Sequence, residues 1–134
     1  MGYGLPAAVA AAMRYRDRTV VCVSGDGCFM MYPQELATAI EHGASIIVLL
    51  VNNGMYGTIR MHQEREYPGR VSGTKLAGPN YTELAKAFGA RAERITSTSE
   101  FKPALARARS HTGVTLLELM TDPAQITPDK RIAH

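Results

Sequence analysis

Val20-Val21-Cys22-Val23-Ser24-Gly25-Asp26-Gly27, followed after 24 residues by Asn52-Asn53, is the stretch from which the rest of this chain can be read. The β-branched run predicts a short buried strand over Thr19–Ser24. It ends in a carboxylate set between two glycines, where backbone N–H groups can approach a bulky anion closely. A second apolar run, Ile46-Ile47-Val48-Leu49-Leu50-Val51, ends in the asparagine pair. Two neighbouring strand tips then present one carboxylate and one amide oxygen to the same point. Hard oxygen ligands from two loops, completed by phosphate oxygens, are how proteins hold Mg²⁺.

Outward from these runs the pattern alternates between helical and extended periods. Pro6–Tyr15 is alanine-rich and reads as helix, with proline tolerated in its first turn. Tyr32–His42 reads as a helix stopped by Gly43, with His42 at its negative end. Ile46–Val51 is apolar on both faces, as a central parallel strand is. Tyr56 to about Glu66 reads as helix or helical loop, and the charges between Arg60 and Arg70 as a solvated face. Tyr67–Pro79 is rich in glycine and proline and reads as a long loop. Asn80 is a helix cap, Phe88 the end of that helix and Gly89 its stop. Ala90–Ile95 reads as strand, Ser99–Ser110 as helix and Val114–Met120 as strand. The tail from Thr121 reads as irregular. Alternating strands and helices predict an α/β domain, a parallel sheet with helices on both faces. Such sheets bind ligands outside the carboxyl ends of their strands, at a switch in strand order. A helix after Gly27 would aim its N-terminal N–H groups at that crevice.

Composition sets the bounds. The 134 residues are 46% hydrophobic and 20% charged, which fits one globular domain over 1–134. The formal charge of +3 is scattered, so nucleic acid is not an expected partner. No apolar run approaches a membrane span and no signal-peptide pattern is present, so no membrane association is expected. Two cysteines make neither a disulfide framework nor a zinc site, which favours a reducing cytoplasm. Cys22 reads as a core residue, and Met30, Met31 and Met61 as packing residues. His111 and His134 carry no signal. Gly2-x-Gly4-x-x-Ala7 matches a loose dinucleotide pattern, yet no strand precedes it in this chain.

The motif Gly25-Asp26-Gly27 with Asn52-Asn53 resembles the thiamine-diphosphate motif. The flanks Met1-Gly2-Tyr3-Gly4-Leu5-Pro6-Ala7-Ala8, Pro33-Gln34-Glu35-Leu36-Ala37-Thr38-Ala39 and Asn52-Asn53-Gly54-Met55-Tyr56-Gly57 agree with it. Together they are similar to the diphosphate-binding domain of the acetolactate synthase, pyruvate decarboxylase and benzoylformate decarboxylase superfamily, over nearly the whole chain. The resemblance implies thiamine diphosphate and Mg²⁺ as cofactors and a 2-keto acid as substrate. It implies that Asp26 and Asn53 give side-chain oxygens to Mg²⁺, with the backbone carbonyl of Met55 as a third ligand. By the same resemblance Gly25, Gly27 and Cys28 cradle the diphosphate with their amides, and Tyr56 and Gly57 line it from the second loop. Met1, followed by Gly2 in the cofactor-binding set, falls where relatives place a large apolar residue under the thiazolium ring; it reads equally well as a start residue.

One stretch departs from acetolactate synthase. Gly57-Thr58-Ile59-Arg60-Met61-His62-Gln63 resembles that enzyme's Gly-Met-Val-x-Gln-Trp-Gln, but His62 stands for the Trp and Thr58 for the Met. This places a different acceptor, or none, on the table. The resemblance also implies a missing partner. The family's activating Glu lies in a separate pyrimidine-binding domain, and relatives carry three domains. Glu35, on the diphosphate side, cannot replace it. The expectation is therefore a C-terminal portion of a larger chain, inactive alone, or one subunit of a split enzyme; a non-catalytic diphosphate-binding or scaffolding module is the alternative. A homo-oligomer is expected, with the Pro6–Met13 helix and Met55–Met61 as candidate apolar faces.

Overall fold

The computed structural model describes residues 1–127 and 129–132; His134 lies outside them. Four parallel strands form one sheet in the order β1-β2-β4-β3: β1 (Val20–Gly25), β2 (Ile46–Asn52), β3 (Arg91–Ile95) and β4 (Val114–Met120). The central strands β2 and β4 bury side chains on both faces, which is why their sequences are apolar runs rather than alternations. On one face, α1 (Gly4–Arg14), α3 (Glu35–Glu41) and α5 (Tyr81–Ala87) pack Leu5, Val9, Leu36, Ala39 and Tyr81 against Ile46, Val48, Leu50 and Leu116. On the other, α6 (Thr98–Ser110) packs Ala104 and Ala108 against Ile47, Ile95 and Leu117. The fold is thus the expected parallel α/β sheet with helices on both faces.

The differences from expectation have identifiable causes. The segment after Gly25 is a one-turn helix, α2 (Asp26–Phe29), followed by turns to Gln34, so no long helix begins there. Pro33 lies in those turns, and α3 starts two residues beyond it. The expected helix Tyr32–His42 is shortened accordingly to Glu35–Glu41, with His42 at its C-cap. The tail is not wholly irregular: β5 (Gln125–Thr127) pairs antiparallel with β6 (Lys130–Arg131). Of the α1 helix, singled out as a candidate apolar face, Leu5, Ala8, Val9 and Ala12 are buried in the domain's own core, whereas Ala10 and Met13 are exposed. Exposed apolar side chains also include Val21 and Val23 on edge strand β1. Met30 and Met31 are exposed rather than packed.

Candidate functional site

Asp26 follows directly on β1, and Asn53 directly on β2, at the same end of two hydrogen-bonded parallel strands. Because β1 and β2 are consecutive neighbours, no reversal of strand order lies between the two tips. Asp26 is only 3% exposed. Its Oδ1 accepts the Gly27 N–H at 2.9 Å and its Oδ2 accepts the Gly54 N–H at 2.9 Å. Burying a polar group is costly unless it is hydrogen-bonded, and these two bonds meet that need. The second of these bonds fastens the β1 tip to the β2 tip.

The β2 tip is shaped by its own asparagines. Asn52 Oδ1 accepts the Gly54 N–H at 3.0 Å, and Asn53 Oδ1 accepts the Met55 N–H at 3.1 Å. These are the local side-chain-to-backbone turns that asparagine favours. Gly54 has φ +66°, a left-handed conformation that glycine adopts without strain. Beyond it, Met55 pairs antiparallel with Lys75: the Tyr56 N–H donates to Thr74 O at 2.8 Å, and the Leu76 N–H to Gly54 O at 2.8 Å. Extended backbone alternates its polar groups. The Met55 N–H and C=O therefore face away from Lys75, on the side where the N–H meets Asn53.

A cleft of about 290 Å³ opens over both tips. Met1, Gly25, Asp26, Gly27, Cys28, Asn53, Met55, Tyr56 and Gly57 line it, so nine of the ten residues singled out from the sequence meet here. Gly2 does not line it. It is buried at φ +79°, where a Cβ would press on the Tyr32 ring at 2.8 Å. Gly25 forms open floor, with no atom within 4 Å of where its Cβ would stand. Gly27 is the opposite case: a Cβ there would lie 2.6 Å from the Tyr56 ring and 3.1 Å from Leu76.

The sequence reading missed three features. Gln125 and Ile126, from the tail strand, also line the cleft. Glu118 of β4, 1% exposed, sits behind the β2 tip and accepts from Asn52 Nδ2 at 2.8 Å and Arg94 Nε at 2.7 Å. Tyr81, buried beneath the site, has its phenol pushed up to about 12, by desolvation first and then by the charges of Asp26 and Glu118. A lone carboxylate in an apolar strand run was the available signal for Glu118. Of the two departures from the acetolactate synthase stretch, Thr58 lines the cleft, whereas His62 is exposed and meets Arg65 at 3.0 Å. Arg60 in that stretch is half-buried and reaches Glu64 at 3.6 Å and Pro123 O at 3.4 Å, so the charged face is not wholly solvated.

The donor set is one carboxylate with amide and carbonyl oxygens, and among the described residues no group of three or more His, Cys, Asp or Glu gathers. That suits a hard divalent ion sharing its shell with phosphate rather than zinc. The class that fold and site define is a parallel α/β domain with a glycine-floored, oxygen-rich cleft at its strand tips. More particularly, the chain belongs to the family of thiamine pyrophosphate enzymes, as their C-terminal TPP binding domain, whose model matches residues 1–119.

The chain is 37% identical over 121 residues to an acetolactate synthase of Arthrospira platensis, covering 89% of this chain and 21% of that one. It is 41% identical over 114 residues to the acetolactate synthase large subunit of Corynebacterium glutamicum, covering 81% and 18%. In structure it matches the thiamine diphosphate-dependent 4-hydroxybenzoylformate decarboxylase of Rhodococcus jostii RHA1, with a TM-score of 0.85 and 30% identity over 91% of this chain and 23% of that one. The chain thus spans about a fifth of the length of these relatives.

Proposed function

We propose that this domain holds the diphosphate and Mg²⁺ of thiamine diphosphate within a 2-keto-acid decarboxylase or carboligase. One observation carries the reading: Asp26 and Asn53, separated by a whole strand–helix unit, converge on one cleft with an open glycine floor. Asp26 and Asn53 would give side-chain oxygens to the metal, and the Met55 carbonyl, facing the same side, a third. Gly25 and Cys28 would meet the diphosphate from the β1 tip, and Tyr56 and Gly57 from the β2 tip. The Gly27 N–H is held by Asp26, so its contribution is to orient that carboxylate. Met1, exposed where it lines the cleft, would support the cofactor's rings.

When bound, thiamine diphosphate supplies the nucleophilic carbon for 2-keto-acid chemistry. The residues of this chain anchor and orient it. A pyrimidine-binding domain, of the same or another chain, would complete the site, and the domain alone would turn over no 2-keto acid. Thr58 at the cleft wall, in place of a larger residue, favours an acceptor different from that of acetolactate synthase.

The test is calorimetric titration of thiamine diphosphate with Mg²⁺ into the complete enzyme and its Asp26→Ala variant. Loss of measurable binding in the variant is the expected result. Unchanged affinity would overturn the assignment.

A further inference from the structure

Glu118 poses a physical question. It stands in the central strand β4, flanked in register by Leu50 of β2 and Arg94 of β3, and is 1% exposed. A well-packed apolar residue commonly serves such a position as well or better, because burying an ion pair carries a desolvation cost. What the carboxylate does here is accept at both oxygens. Arg94 Nε donates to Oε2 at 2.7 Å, and Asn52 Nδ2 to Oε1 at 2.8 Å.

An ionised carboxylate only accepts, so it selects one face of an amide. With Nδ2 of Asn52 turned to Glu118, Oδ1 is turned to the Gly54 N–H, 3.0 Å away. That same N–H lies 2.9 Å from Oδ2 of Asp26. The bonds form one relay: Arg94 to Glu118, Glu118 to Asn52, Asn52 to Gly54, and Gly54 to Asp26.

We propose that Glu118 is a positioning residue for the metal and diphosphate site, acting by fixing the amide orientation of Asn52 and hence the Gly54 N–H that steadies Asp26. The inference rests on the reading of Asp26 and Asn53 given above. A glutamine at 118 keeps the volume but offers an NH₂ group. That group can take Asn52 Oδ1 and turn the Asn52 amide over, setting donor against donor at Gly54.

The experiment is titration of Mg²⁺ into the complete enzyme at fixed thiamine diphosphate, followed by calorimetry, for Glu118→Gln, Asn52→Ala, the double variant and two controls. Outer partners of metal-site residues typically tune affinity 10–100-fold, so each single variant is expected to weaken Mg²⁺ binding on the order of ten-fold. The double variant is expected to be no weaker than Asn52→Ala, since both changes cut one relay. Leu50→Ala, which hollows the same row of the sheet, is expected to lower the melting temperature and leave the affinity alone. Wild-type affinity in Asn52→Ala, additive losses in the double variant, or an equal loss in Leu50→Ala would each overturn the relay. Asn52→Ala leaves the Glu118–Arg94 pair in place, so it decides the matter even if Glu118→Gln does not fold. Asp26→Ala separates the two readings: wild-type affinity there overturns the site itself, whereas its loss beside an unaffected Asn52→Ala overturns the relay alone.

Discussion

The two strand tips that form the cleft are built in contrasting ways. At the β1 tip the parts are contiguous: Gly25 is the floor, Asp26 the ligand candidate, and the Gly27 N–H lies 2.9 Å from its own neighbour's carboxylate. At the β2 tip the visible residues, Asn52 to Gly54, are also contiguous, but what steadies them is remote. Glu118 is 66 residues from the Asn52 it holds, Arg94 is 24 from Glu118, and Asn80 is 14 from Arg94. The β1 tip takes one donor to Asp26 from its own backbone, at Gly27, and the other from Gly54 of the β2 tip, so only the first is independent of changes elsewhere in the sheet. A tip held through a buried ion pair inherits the cost of that pair whenever one member is lost.

The largest expected effect tests that dependence. Arg94→Met leaves Glu118 buried without its counter-charge. Breaking buried pairs costs about 3–5 kcal/mol. Arg94's own side chain is 44% exposed, so water screens part of the pair and the lower end, about 3 kcal/mol, is expected. Chemical denaturation of the variant reads it directly. A loss under about 1 kcal/mol, the range of surface pairs, would show that β2 is no more dependent on distant support than β1.

The same contrast explains what the sequence could disclose. Asp26 and Asn53 were legible because each follows an apolar run whose strand character is local, and because the family pattern ties them together. Asn80 was legible as a cap because a cap acts within three residues, and its Oδ1 does accept the Glu83 N–H at 3.3 Å. Glu118 was read only as part of the run Val114–Met120, since nothing in that run names Arg94 or Asn52 as partners. Knowing that β4 inserts between β2 and β3 requires the sheet order, which sequence alternation does not supply. The tail strand was missed for a like reason. Gln125 and Ile126 reach the cleft by tertiary packing, and a three-residue strand has no period to detect. The helix after Gly25 was legible as a helix start, but the glycine–aspartate–glycine pattern does not mark its length, which is a single turn.

Gly27→Ala probes the β1 tip, with a smaller expected effect. The added methyl would sit 2.6 Å from the Tyr56 ring and 3.1 Å from Leu76. Overpacking of this kind costs typically 1–3 kcal/mol, and about 2 kcal/mol is expected here. The ring lines the cleft and must shift to admit the methyl, so cofactor affinity is expected to fall together with stability. Tyr56→Ala in the same chain removes the obstruction, and partial recovery of the Gly27→Ala stability loss in the double variant is the confirming result. Independent, additive losses would place the strain elsewhere than at the Gly27–Tyr56 contact.

Asn80→Ala tests how far the support of the β2 tip extends. Asn80 Oδ1 accepts from Thr82 Oγ1 at 2.8 Å, from the Glu83 N–H at 3.3 Å and from Arg94 Nη2 at 3.3 Å. As the cap of α5 it contributes about 1 kcal/mol, and its loss should appear at that size in denaturation. Its bond to Arg94 is long and lies at the exposed end of the guanidinium, whereas Glu118 is held through Nε. Arg94 can therefore keep its grip on Glu118 without Asn80. The expected outcome is a stability loss of about 1 kcal/mol, restored by Asn80→Asp, which caps equally well, with cofactor affinity unchanged in both variants. A fall in affinity with Asn80→Ala comparable to that of Asn52→Ala would carry the remote support one link further, and make the cap of α5 part of what aims the β2 tip.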